Sequence, residues 1–402
     1  MAPRPGGERG PSVIYLDHHA TTPVDPRVLD AMLPYFREDF GNASSRTHRY
    51  GWRAEAAVDM AREAVAAAIG AAEPREVIFT SGATESDNLA LQGAFAAAGG
   101  AGHIVTVATE HPAVLECCAA LERRGARVTR LGVDAHGFVA PDAVGEAICA
   151  DTVLVSVMAA NSEIGTVPDL AGIGRVTAER GVLFHSDAAQ AIGKIPFDVD
   201  TIGVDLVSVS GHKLYGPKGV GALYVRRRRR GSRERIRLEP LQFGGGHEWG
   251  MRPGTVPVPL VVGLGRAVEL AVSGREPEAK RIGALRDALF AALAQRLDGV
   301  AWNGPPAGEG RLAGNLNLSI EGVEADALIA GLPELALSTG SACASAKPEV
   351  SHVLRACGLP EARIRGALRI GLGRDTDEAS IAFAADRIGA EAARLRGAAA
   401  RS

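Results

Sequence analysis

Leu206-Val207-Ser208-Val209-Ser210-Gly211-His212-Lys213 reads as a β-strand that stops at a glycine and hands the chain to a lysine. Apolar and small residues alternate up to Ser210, as they do in a strand. Gly216, Gly219 and Gly221 then mark a tight, polar segment. A lysine held at a strand end beside Ser210 and His212 can have its amine partly desolvated, which suits it to condense with a carbonyl group. A phosphate- or solvent-facing lysine fits the same residues, so this stretch alone leaves both readings open.

Working outward, strand patterns at 77–80, 103–108, 127–131, 152–158, 182–186 and 222–225 alternate with helical ones such as 85–98 and 113–124. Such alternation predicts an α/β fold, a mostly parallel sheet with helices on both faces. Ligands of such sheets bind just beyond the strand ends. Ser81-Gly82-Ala83-Thr84, Thr109-Glu110-His111, Ser186-Asp187 and the lysine segment all fall there. After Gly246 the texture changes to an apolar helix over 258–272, an amphipathic helix over 278–297 and a Gly/Pro-rich loop over 304–310. A strand at 315–320, a helix near 325–331, a strand around Leu368-Arg369-Ile370 and a closing Ala-rich helix follow. They predict a smaller α+β domain, and 402 residues suffice for two cores.

Composition removes several function classes. Hydrophobic residues at 46% and charged residues at 23% suit a soluble enzyme. A net charge of −3 offers no general attraction to nucleic acid or membrane. No apolar run approaches the ~20 residues of a membrane span. The Pro/Gly/Arg-rich residues 1–10 lack the apolar segment of a signal peptide and read as a disordered tail. Five cysteines without framework or CxxC spacing suit a reducing cytoplasm and suggest no metal site. Cys117, Cys118 and Cys357 read as packing residues, and Arg226–Arg230 as a solvated loop.

The remaining chemistry is read residue by residue. Asp187, with Gln190 three residues on, could hold a pyridinium nitrogen protonated, as pyridoxal phosphate (PLP) requires; it could equally cap the next helix. Ser81-Gly82-Ala83-Thr84-Glu85 runs from a strand into a helix, where free N–H groups bind phosphate, although Thr84 also fits an N-cap. His111 could stack on a cofactor ring and move protons, or be structural. Cys343 lies in Ser338-Thr339-Gly340-Ser341-Ala342-Cys343-Ala344-Ser345, residues too small to pack a core, so its thiol is expected on an accessible loop, either as a nucleophile or as an incidental cysteine.

Taken in order, the motifs resemble those of cysteine desulfurases of the class V aminotransferase family, the iron–sulfur-cluster and nitrogen-fixation group. The resemblance runs from Tyr15–Pro23 and Gly41–Ser45 through Thr80–Asn88, Ala108–His111, Ser186–Gln190 and Ser210–Lys213. It ends with Gly244–Glu248, Met251–Thr255, the Cys343 loop and Leu368–Arg374. It implies PLP-dependent fold type I, a seven-stranded sheet in a large domain over 23–265 and a small α+β domain from 13–22 and 266–402, after a tail over 1–12. It also implies that Lys213 carries PLP, Asp187 pairs with the ring nitrogen, Gln190 bonds the ring hydroxyl and His111 stacks on the ring. Ala83, Thr84, Ser210 and His212 would hold the phosphate, with Thr255 reaching across from a second subunit of a homodimer. Arg369, rather than Arg374, would clamp the carboxylate of L-cysteine, with help from Asn315. Cys343 would take the sulfur as a persulfide for an acceptor protein, a cluster scaffold or a thiolation enzyme for tRNA or cofactors. Ser162 departs from the family pattern, which has Asn there, although a serine hydroxyl still donates a hydrogen bond. Selenocysteine lyase, cysteine sulfinate desulfinase or a catalytically dead scaffold for sulfur acceptors would share most of these parts.

Overall fold

Seven strands build the central sheet of the computed structural model, which describes residues 13–230, 234–308, 310–339 and 350–400. They are β2 (Val77–Thr80), β3 (His103–Val107), β4 (Arg127–Leu131), β5 (Thr152–Ser156), β6 (Leu183–Asp187), β7 (Leu206–Ser210) and β8 (Gly221–Val225); β1 (Ile14–Tyr15) lies elsewhere. Their order is β2-β8-β7-β6-β5-β3-β4, with β8 antiparallel to both neighbours and the others parallel. Side chains alternate between two cores, as the two-residue period of a strand demands. Val77, Phe79, Val105, Val107, Val207 and Val209 join the core shared with helix Arg49–Ile69. Ile78, Ile104, Leu206 and Leu223 join Leu89, Phe95 and Leu121 of helices Ala83–Ala97 and Pro112–Glu122 on the other face. Each large apolar side chain buried this way contributes about 1.5–3 kcal/mol.

A second core lies around the antiparallel set β9 (Val300–Trp302), β10 (Asn315–Ile320) and β12 (Ala367–Gly371), with β10 in the middle. Leu316, Leu318, Leu368 and Ile370 pack there against Ile381 and Ile388 of helix Glu378–Ala399. The short strand β1 pairs in parallel with β11 (Leu335–Ala336), which ties the N-terminal segment to this core.

Two expectations are corrected. The predicted pair of helices is one helix, Val258–Arg296, continuous through Pro277. Its first part reaches the large core through Val261, Leu264, Val268 and Ala271, and its second reaches the small core from Ile282 through Leu293. Anchorage at both ends outweighs the hydrogen bond that proline removes. The arginine run is a loop, as expected, but with Arg228 alone exposed and the other guanidiniums held by partners it is not a solvated one. Arg226 donates to Asp200 at 2.6 Å, Arg227 pairs with Glu73, and Arg230 donates to the Gly174 carbonyl at 2.6 Å beside the buried Asp205.

Candidate active site

The carboxyl ends of β2, β3, β6 and β7 converge on one region of the large domain. At β2 the chain turns through Gly82, φ 151°, into helix Ala83–Ala97, whose N-terminus has no side-chain cap. A Cβ on Gly221 of β8 would stand 2.6 Å from the Gly82 Cα, so a glycine there lets the turn sit against the sheet. A Cβ on Gly82 itself would meet nothing within 4 Å. Ala83 and Thr84 thus form the first turn of a 15-residue helix with open space before it, the geometry of an anion site. Ser210 ends β7, and His212 follows in a tight turn with Nδ1 3.0 Å from the Thr21 hydroxyl. Burial, with Lys213 and Lys218 nearby, pulls His212 down to about 4, so its ring is neutral at pH 7.

Asp187 ends β6, and its Oδ1 accepts the Ala189 N–H at 2.9 Å. His111 caps helix Pro112–Glu122 by accepting the Ala113 N–H on Nδ1 at 3.1 Å. That bond fixes the tautomer: neutral His111 carries its proton on Nε2. Burial lowers the His111 pKa, against the pull of Asp187. Behind them lies Asp87, fully buried, with neither oxygen hydrogen-bonded among the described residues and His185 Nε2 at 3.6 Å. Asp87, His111 and Asp187 bring potential ligand atoms within 4.8 Å of one another. Burial and the neighbouring Asp187 drive Asp87 well above the usual carboxylate range. Burial also raises Asp187, but His111, the Ala189 N–H and Lys213 counteract it. Of the two carboxyls, Asp87 therefore holds its proton the more strongly.

Lys213 Nζ donates to the carbonyls of His19 and Ala20, each at 2.7 Å. Gln190 donates through Nε2 to the same His19 carbonyl at 2.9 Å. Asn161 accepts the N–H groups of Glu163 and Ile164 on Oδ1 and donates to the Thr109 carbonyl at 2.9 Å. This pins the turn containing the half-buried Ser162 to the segment leading into His111.

Arg369 enters on β12, from the antiparallel set around the second core, and is buried. Its Nη2 donates to Asp17 Oδ1 at 3.0 Å and to the Ser338 hydroxyl at 3.2 Å, while its buried Nε has no hydrogen-bond partner among the described residues. Arg374 is committed elsewhere, to Asp25 at 2.7 Å and Glu278 at 2.9 Å, with its guanidinium over the Tyr215 ring. Asn315 faces Gly371 in the strand register, while Asn317 faces Arg369. Its amide is held by Arg311 at 3.1 Å and the Glu163 carbonyl at 3.0 Å. Thr255 is exposed. Cys343 lies outside the described residues.

Reading the sequence did not single out Asp17, Asp87, Glu110 or Lys194. Asp17 sits in the quoted Tyr15–Pro23 motif, which was the available signal. Asp87 and Glu110 likewise sit in the quoted Thr80–Asn88 and Ala108–His111 motifs, but a buried acid looks like a surface one until its neighbours are known. Glu110, fully buried, accepts the Met158 N–H on Oε1 at 2.5 Å and is pushed well above the usual carboxylate range by burial and by Asp187.

The model of the aminotransferase class-V family matches residues 14–382. A cysteine desulfurase IscS of Anaeromyxobacter dehalogenans is 52% identical over 385 residues, 95% of this chain and 93% of that protein. The solved structure of a NifS-like protein superposes with a TM-score of 0.86 at 35% identity, covering 94% of this chain and 98% of its own. A structure described as SspA in complex with cysteine gives 0.78 at 38% identity, covering 89% and 98%.

Proposed function

The chain belongs to the class V aminotransferase family and, within it, to the cysteine desulfurases, and from that premise we propose that it moves the sulfur of L-cysteine to the thiol of Cys343 and releases L-alanine. Its cofactor, as in that family, is pyridoxal 5′-phosphate, and the donor set fits the group. An uncapped helix end offers N–H groups to a phosphate. A buried carboxyl on which His111 and Lys213 counter the effect of burial, beside an imidazole whose pKa burial lowers, suits a pyridinium.

In this reading Ala83, Thr84, Ser210 and His212 hold the phosphate, Asp187 the ring nitrogen, Gln190 and Ser162 the ring hydroxyl, and His111 the ring face. Lys213 holds the cofactor covalently. When bound, the cofactor supplies an electron sink that weakens the substrate's carbon–sulfur bond. Arg369 receives the substrate carboxylate, with the unpartnered Nε adding a donor to a planar fork that lysine cannot reproduce. Lys213 moves the proton at the substrate Cα, and His111 holds one on Nε2 beside it. The Cys343 thiolate attacks the substrate sulfur. An S–S bond forms, the carbon–sulfur bond breaks with its electron pair left on carbon, and protonation of that fragment yields alanine.

Thr255 completes the phosphate site from the second subunit of a homodimer. The exposed Phe36, Phe40, Trp52 and Phe243 support such an interface. An acceptor protein then takes the sulfur, to a cluster scaffold or a thiolation enzyme. No helix among the described residues is long and apolar enough to cross a membrane. Cysteines without framework spacing support a cytoplasmic site.

The observation that carries the reading is the meeting of the buried Asp187 with the half-buried His111 and Lys213 at three strand ends. Yellow purified protein should release alanine and sulfide in equal amounts from L-cysteine with a thiol reductant, and Lys213→Ala should release both about 10²–10⁴-fold more slowly. A colourless chain that cannot be loaded with the cofactor would refute it.

A further inference from the structure

Behind Lys213, on the side of helix Val258–Arg296, lies a cavity between the domains that also takes in Lys194. Lys194 Nζ donates to Gln190 Oε1 at 2.5 Å, and His19 Nδ1 stands 3.2 Å from the same oxygen. Gln190 Nε2 donates to the His19 carbonyl, which also accepts from Lys213. An ammonium can only donate and a carbonyl can only accept, so the two contacts together set which end of the Gln190 amide is oxygen. A donor on Oε1 also polarises the amide and strengthens its N–H groups as donors.

We propose that Lys194 is a positioning residue of the cofactor site: it holds and polarises the Gln190 amide so that its N–H group serves the ring hydroxyl. This rests on the cofactor reading above. Lys194 is faced by Lys213 and Tyr215 from the turn after β7, and by His18 and His19 from the N-terminal segment. Arg275 and Glu278 face it from the long helix, and Arg374 from the segment after β12. Burial, reinforced by Lys213 and opposed by Glu278, draws the Lys194 amine down to about 7. Its charge therefore changes within the working range of pH.

The test is a pH titration of the visible absorption band of the cofactor-loaded enzyme. A hydrogen bond to the ring oxygen favours its ionised form, so weakening that bond must raise the midpoint. Lys194→Met weakens that bond without removing it and is expected to raise the midpoint by about 0.5–1 pH unit, part of the roughly 1–2 units that a whole hydrogen bond to a charged acceptor is worth. In a Gln190→Ala background the same substitution should leave the midpoint unmoved, because the contact it acts through is gone. An unchanged midpoint in Lys194→Met, or an equal shift in both backgrounds, would overturn the proposal. Lys194→Gln keeps a donor without the ammonium and should shift the midpoint less; the same cycle run with it decides the matter if Lys194→Met does not load cofactor. A parent enzyme with no visible band would instead refute the cofactor reading itself.

Discussion

The two halves of the site are built on different terms. On the large-domain side Asp187, His111 and Lys213 stand at the ends of buried strands, each held by backbone groups: the Ala189 N–H, the Ala113 N–H and the His19 and Ala20 carbonyls. On the small-domain side Arg369 is held by a charged side chain, Asp17, from a segment pinned through β1 to β11. Backbone partners of the first kind need not move when ligand arrives. The Asp17 carboxylate competes with the ligand for the same guanidinium. The cofactor half should therefore govern turnover and the substrate half affinity.

Substitutions can break that division. The largest expected effect is Lys213→Ala, which should lower kcat by about 10²–10⁴-fold, the usual worth of a positioned acid–base group; single-turnover alanine release measures it. Next is Arg369→Lys, which loses one arm of a two-armed contact to a charged group, about 1.5–3 kcal/mol. It should raise KM for cysteine roughly 10- to 100-fold with kcat little changed. A fall in kcat with constant KM would erase the distinction between the halves. Asp17→Asn is expected to act in the opposite direction. Relieved of its anionic competitor, Arg369 should bind cysteine more tightly by about 0.2–1 kcal/mol, the scale of an ion pair that water still reaches, seen as a drop in KM of about 1.4- to 5-fold.

The smallest effect separates the halves by pH. Burial depresses the His111 pKa and pulls His185 to about 3 and His212 to about 4. The unfolded chain therefore binds more protons than the folded one below the ordinary histidine value of about 6.5. The histidine contribution to stability is full above that value and is lost as pH falls through the folded values. Asp87 and Glu110, whose carboxyls burial raises, act in the opposite sense, so the histidine share is read by difference: between pH 7 and pH 4 the parent should lose more Tm than His185→Gln. Activity should fall on the acid side only below the ordinary histidine value, where the His111 ring takes up its second proton.

Most of the large-domain half was legible before any coordinates, because strand period and strand-end residues are local signals. Lys213, Asp187, His111 and the Ala83–Thr84 turn all stood where the alternation put them. The continuity of the 258–296 helix was not legible. Pro277 is a local breaker, and only the two cores that anchor either part outweigh it. The arginine run misled for a similar reason: Asp200, Asp205 and Glu73, which neutralise it, are distant in sequence. Asp87 and Lys194 were hidden because their chemistry comes from burial and from neighbours on other elements. A sequence shows a residue's type, and the fold decides its charge.

The destination of the sulfur distinguishes this reaction from its alternatives. Mass spectrometry of the loaded enzyme after a single addition of L-cysteine, without reductant, tests this most directly. The peptide carrying Cys343 should gain the mass of one sulfur atom, with one alanine released per site and no such gain at the exposed Cys149. Alanine released at an undiminished rate by Cys343→Ala, with no sulfur on Cys343 in the parent enzyme, would contradict it.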